Sequence, residues 1–208
     1  MTAFSMTDFQ PALFLDRDGV VNHEIGYLYK PEQVVFMAGV FDLCRYAQQQ
    51  RYKLIIITNQ SGIARQLYSE ADFHSLMKWM MEEFLHANIR IDGYYFCPHH
   101  PEFGVGPYRT ECADRKPQPG MILQASSDHG INLKQSVLVG DRCSDIQAGA
   151  AAGIANLILL RGTEPAGCAE APSHTVVSDL AEIIPFLTPS STQPKNLSKN
   201  YASLRRSR

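Results

Sequence analysis

The chain has 208 residues, 45% of them hydrophobic, and 19 Lys/Arg against 21 Asp/Glu give a formal charge of −2. That length and apolar share suit one packed domain, and no apolar run approaches the ~18–20 residues that span a bilayer. Five Lys/Arg fall in 188–208, which leaves 14 basic and 21 acidic residues before it, an acidic body with no electrostatic footprint for nucleic acid.

In chain order, the opening MTAFSMTDFQ carries Asp8 and no basic cluster, so it does not read as a signal peptide. The run ALFL at 12–15 stops at Asp16. A helix is predicted over 39–50, then the strand KLIIIT at 53–58, stopping at Asn59. The strongest helical pattern covers 69–88. Phe73, Leu76, Met77, Met80, Phe84 and Leu85 recur at 3, 4, 7, 11 and 12 residues from the first, as one apolar stripe. Ser69 with Asp72 resembles a capping box.

Next come YYF at 94–96, stopping at Cys97, an unpatterned stretch to Lys116, and a helix over 119–129. SVLVG at 136–140 stops at Asp141 and precedes a helix over 144–152. NLILL at 156–160, TVV at 175–177 and a helix over 179–187 complete the domain, taken as 1–187. The polar, basic segment 188–208 reads as a disordered tail. Continuous apolar runs of this length suit strands buried on both faces. Their alternation with helices predicts an α/β fold, a mostly parallel sheet with helices on both faces. Five scattered cysteines, Cys44, Cys97, Cys112, Cys143 and Cys168, give no disulfide framework and suit a reducing cytosol. A soluble, cytoplasmic monomer without membrane or nucleic-acid partners is the expectation.

Chemistry in such folds collects at the carboxyl ends of the strands. There the first strand offers Asp16 and Asp18 around the turn residue Gly19, and the second offers Thr58. Arg115 and Lys116 precede a helix, and Asp141 and Asp145 follow the fourth strand. Acids crowded this closely repel, and a hard divalent cation with oxygen ligands offsets them; Mg²⁺ is held by one or two carboxylates plus phosphate oxygens. The set suits phosphoryl transfer. Asp16, rigidly aimed from a strand end, is the expected nucleophile, and Asp18 the general acid/base. Thr58 and Lys116 hold the phosphoryl group, and Asp141 the metal. Each motif alone is weak, since a D-x-D after a strand is usually a surface turn; their order along the chain carries the reading.

FLDRDGVVN, TNQSGIAR, CPHHPE and RKPQPGM resemble the haloacid-dehalogenase-like phosphatase superfamily, in particular its heptose-bisphosphate phosphatase and histidinol-phosphatase group, over about residues 11 to 187. The resemblance implies a Mg²⁺-dependent phosphatase with a Rossmann-like core, little or no cap domain and a small phosphorylated sugar as substrate. It implies Mg²⁺ on Asp16, the backbone carbonyl of Asp18, and Asp141. It implies substrate contacts from Glu24, Ile25, Gly26 and Tyr27, from Thr58, Asn59, Gln60 and Ser61, and from Arg115, Lys116 and Arg142. Val20 stands where the family carries threonine after DxDG.

The same resemblance implies a zinc clasp, Cys-x-His, twelve residues, Cys-x-Cys. Cys97, His99 and Cys112 keep that spacing, and Asp114 stands in the fourth place. Structural zinc prefers sulfur and nitrogen but accepts carboxylate oxygen. Asp114, His100 or water are the candidates for that place; a loop held by proline stiffness and packing is the metal-free alternative. Loops this long without structure of their own are uncommon unless functional or disordered, and this one must hold Arg115 and Lys116. Histidinol-phosphate hydrolysis is the near alternative, and a noncatalytic metal-stapled binding module the one of a different class.

Overall fold

A computed structural model describes residues 9–161 and 172–187; the expected tail at 188–208 lies outside them. Six strands, β1 (Ala12–Asp16), β2 (Lys53–Asn59), β3 (Gly93–Cys97), β4 (Val137–Gly140), β5 (Asn156–Leu160) and β6 (Thr175–Val177), form one sheet in the order β3-β2-β1-β4-β5-β6. Every neighbouring pair is parallel. β1 and β4 are neighbours in space but far apart in the chain, so the order reverses between them. A crevice therefore opens beyond their carboxyl ends, and Asp16 and Asp141 stand at it.

The period of two along each strand divides the core. Leu13, Leu15, Leu54, Ile56, Val137 and Val139 face one layer with α1 (Val40–Gln49) and α3 (Glu70–His86). Ala12, Phe14, Ile55, Ile57 and Leu138 face the other, with α4 (Gly120–His129) and α5 (Cys143–Ala152). A further short helix, α2 (Ser61–Ala64), follows β2 directly. The sheet-on-helix layers are those the alternation predicts.

Burial on both faces holds only for the inner strands. The edge strand β3 is half-buried from Gly93 to Phe96, and Thr175 and Val176 of β6 are exposed. The capping box is real: Asp72 N–H donates to Ser69 Oγ at 3.1 Å, and Ser69 N–H to Asp72 Oδ2 at 2.8 Å. The stripe on α3 is narrower than its sequence pattern. Phe73, Leu76, Met77, Met80 and Phe84 are buried, but Leu85 is 64% exposed. Phe84 takes the inward place, tilted against Phe41 with ring centroids 4.8 Å apart, and its immediate successor in a helix is turned about 100° away. The helix expected over 179–187 is a 3-10 helix, Leu180–Phe186, with Pro185 inside it, a residue that lacks the N–H an α-helical turn would use. No helix among the described residues is long and apolar enough to cross a membrane.

Phe84→Ala should cost about 3–5 kcal/mol in urea denaturation, whereas Leu85→Ala should stay within about 0.5 kcal/mol.

Candidate active site

Asp16 ends β1, 7% exposed, and Lys116 reaches it from the segment before α4, 5% exposed. Lys116 Nζ lies 2.8 Å from Asp16 Oδ1 and 2.6 Å from Asp145 Oδ1. Asn59, at the end of β2, clamps the lysine backbone from both sides. Its Oδ1 accepts Lys116 N–H and its Nδ2 donates to Lys116 O, each at 3.1 Å. Burial alone would depress the Lys116 ammonium, but Asp145 and Asp16 outweigh it and raise its pKa above the usual lysine range. Burial raises Asp16 well above the carboxylate range; Lys116 opposes that, and Asp145 and Asp141 add to it. Burial, then Asp145, pushes Asp141 up to about 6.

Gly19 makes this crowding possible. It turns with φ +88°, and a Cβ there would overlap the Asp141 carboxylate; both facts demand glycine.

The Asp18 carboxylate faces a different set of partners. Arg17, 1% exposed, grips it with Nη2–Oδ2 at 2.7 Å. Asn22 Nδ2 donates to Oδ1 at 3.0 Å and Gln60 Nε2 to Oδ2 at 3.2 Å. Gln60 Nε2 also donates to Thr58 Oγ1 at 2.7 Å, and Tyr68 OH donates to Gln60 Oε1 at 2.5 Å. Burial pushes the Tyr68 phenol up to about 12, so it remains a hydroxyl donor at neutral pH.

A cleft of about 550 Å³ opens over these groups. Asp16, Asp18, Thr58 and Lys116 line its floor, with Asn59, Gln60 and Ser61 beside them. Glu24, Gly26, Tyr27, Arg115 and Arg142 also line it. Arg142 Nη2 meets Glu24 Oε2 at 3.0 Å, which ties the 24–29 loop to the start of α5. Ile25 is not in the lining and is 51% exposed. Asp141 is 3% exposed and is not part of the lining. Asp145, Ser144, Gly62 and Tyr68 line the cleft without having been assigned a role from sequence. The GDxxxD spacing pointed to Asp145; nothing local marked Tyr68.

Among the described residues, two groups of side chains could hold metal. Ligand atoms of Asp16, Asp141 and Asp145 lie within 4.8 Å of one another, and Asp141 Oδ1 is buried without a hydrogen-bond partner. Three carboxylates and an orphaned oxygen fit a hard cation such as Mg²⁺. Cys97, His99 and Cys112 form the second group, also within 4.8 Å. Arg115 Nη1 donates to His99 O at 3.1 Å and Arg115 N–H to Cys112 O at 3.1 Å, so this cluster sets the position of Arg115.

Comparison with known proteins follows the same lines. A D-glycero-alpha-D-manno-heptose-1,7-bisphosphate 7-phosphatase from Burkholderia mallei is 48% identical over 177 residues, 85% of this chain and 93% of that protein. The chain belongs to this family of HAD-like phosphatases. Residues 113–183 match the HAD-hydrolase-like family. The corresponding beta-heptose enzyme from Vibrio cholerae is 43% identical, over 85% of this chain and 95% of that one. Among solved structures, a D,D-heptose 1,7-bisphosphate phosphatase from B. bronchiseptica, complexed with magnesium and phosphate, superimposes with TM-score 0.70 at 28% identity, covering 86% and 98% of the two chains. The chain is thus a phosphoric monoester hydrolase with the α/β fold of that family.

Asp145→Ala removes one of the two anions around buried Lys116 and the acceptor of the Arg142 N–H at 3.0 Å. It should cost about 3 kcal/mol in urea denaturation, with Asp145→Asn recovering about 1 kcal/mol by keeping the helix cap.

Proposed function

We propose that the enzyme removes the 7-phosphate of D-glycero-D-manno-heptose 1,7-bisphosphate, a step toward nucleotide-activated heptose for surface polysaccharide. The observation that carries this is the meeting of Asp16, Lys116 and Asp145 in one buried cluster in a chain 48% identical to a phosphatase of that substrate.

The residues divide the reaction as follows. Lys116 and Arg17 N–H both bind Asp16 Oδ1, and Oδ2 attacks phosphorus in line with the sugar oxygen. Thr58 and Lys116 hold the phosphoryl oxygens as charge builds there. Asp18 gives its proton to the departing 7-oxygen. Asp18 then takes a proton from water as the water oxygen attacks the aspartyl-phosphate, which frees inorganic phosphate and regenerates Asp16. Bound by Asp16, Asp141 and the Asp18 backbone carbonyl, with Asp145 adjoining, Mg²⁺ would neutralise charge on the phosphoryl group and the surrounding acids. Arg115 and Arg142, with Glu24, Gly26, Tyr27, Asn59 and Ser61, form the walls that select the sugar, while Gln60 is held inward by Thr58, Asp18 and Tyr68.

Cys97, His99 and Cys112 would hold a structural zinc. Asp114 Oδ2 lies 3.7 Å from Cys112 Sγ but outside the group of ligand atoms that Cys97, His99 and Cys112 form, so its side chain would have to turn inward to supply the fourth ligand. With zinc–ligand bonds of ~2.0–2.3 Å, a tetrahedral site has ligand–ligand edges of roughly 3.3–3.8 Å, and this one pair falls within that range. His100 is set aside because its Nδ1 already accepts the N–H groups of Glu102 and Phe103 at 3.2 and 3.1 Å.

Turnover of both heptose-bisphosphate anomers, histidinol phosphate and fructose bisphosphate, each with and without Mg²⁺, tests the reading. A clear preference for heptose bisphosphate with Mg²⁺ is expected, and equal rates on all four would reject it. Asp16→Asn should lower kcat by more than about 10³-fold in a protein that still folds and melts cooperatively. Protein purified without chelator should carry about one zinc per chain, and Asp114→Ala less than half of that.

A further inference from the structure

Gln60 has both ends of its amide committed inside the protein. It is 2% exposed, and its Nε2 lies 2.7 Å from Thr58 Oγ1 and 3.2 Å from Asp18 Oδ2. Its Oε1 receives the Tyr68 hydroxyl at 2.5 Å. The amide is placed with its NH₂ group toward Thr58 and Asp18 and its oxygen toward Tyr68. Thr58 Oγ1 then accepts from the same NH₂ group, and its own hydrogen remains available for a phosphoryl oxygen in the cleft.

We infer that Tyr68 is a positioning residue of this phosphatase, holding the Gln60 amide in the one orientation that keeps the Thr58 hydroxyl a donor toward the cleft and ties it to Asp18. Tyr68 is itself well fixed. It is 7% exposed and stacks on Tyr29 with centroids 5.3 Å apart and planes at 12°. Its ring occupies the space that a Cβ on Gly62 would take. The phenol is the donor that Gln60 Oε1 has in this buried place, and a buried carbonyl without a donor is costly. Without it Oε1 has no partner holding it away from Thr58, and the amide is free to turn its oxygen to the Thr58 hydroxyl. Thr58 would then donate to Gln60 instead of to phosphate, and Asp18 would lose an anchor.

The inference rests on the phosphatase reading above and extends it to a residue that carries no charge, nucleophile or metal ligand. Tyr68→Phe keeps the ring, its stacking and its fit against Gly62, and removes only the hydroxyl.

The test is a double-mutant cycle of Tyr68→Phe and Gln60→Met, with Mg²⁺ and heptose bisphosphate, following kcat, KM and thermal melts. Should Gln60→Met fail to melt cooperatively, Gln60→Ala replaces it. Tyr68→Phe should lower kcat about tenfold, with KM within about twofold and the melting temperature within about 3 °C of the parent. In the Gln60→Met background the same change should cost less than about twofold, because residues acting through one another are not additive. Independent, multiplying effects would overturn the inference, as would a raised KM with kcat unchanged, which would make Tyr68 a substrate contact. If the parent hydrolyses another phosphate ester but not heptose bisphosphate, the substrate reading fails, and the cycle is run on the ester that turns over.

Discussion

A lysine ammonium buried between two carboxylates holds this site together. Lys116 is 5% exposed, with Asp16 at 2.8 Å and Asp145 at 2.6 Å. Burying such charges is expensive, and it is tolerated only where geometry and further bonds offset the lost hydration. Those bonds are visible here. Asn59 holds both backbone groups of Lys116, and Lys116 Nζ donates to Ile57 O at 3.3 Å. The arrangement keeps a cation beside Asp16 in a buried floor, where its effect on nearby charge is greatest.

The cost is carried by the rest of the fold. Asp16 and Asp145 belong to β1 and α5, while Lys116 arrives from a long segment with one short 3-10 turn, Gly106–Tyr108. That segment must therefore be rigid. The cluster of Cys97, His99 and Cys112 adjoins Arg115 through hydrogen bonds to His99 and Cys112, so its order passes directly to the residue before Lys116. This cluster and Asp16 thus share one constraint, although they lie on different elements.

Asp18 obeys a separate logic. Arg17, Asn22 and Gln60 all donate to its carboxylate, so it is oriented by a network rather than by a metal cluster. Asp16, Asp141 and Asp145 are the acids whose ligand atoms converge. Two carboxylates two residues apart are thereby given different surroundings, one beside a cation and other acids, the other in a fork of neutral and guanidinium donors. Such separation of environments suits the division of roles proposed for these two like groups. Val20, in the place where the family has threonine, is fully buried and takes no part in either network.

How much of this was legible beforehand differs by element. The inner strands and four α-helices follow from apolar runs and periodicity, because burial on a sheet or helix face is written in residue spacing. The strand-end acids, Thr58 and Lys116 were legible for the same reason, since an α/β sheet brings the carboxyl ends of its strands to one edge. What spacing could not convey were relations between distant side chains. The edge exposure of β3 and β6 depends on strand order. The exposure of Leu85 depends on which of two adjacent apolar residues meets Phe41. The pairing of Asp145 with Lys116 and the lining role of Tyr68 depend on contacts across the fold, between residues 29 and 8 positions apart in the first case and the Gln60 contact. The sequence by itself determined which groups could do chemistry and the edge at which they meet. Tertiary packing decided which carboxylate receives the lysine and which the arginine, because that choice is made by distances of a few ångströms between elements that no local pattern relates.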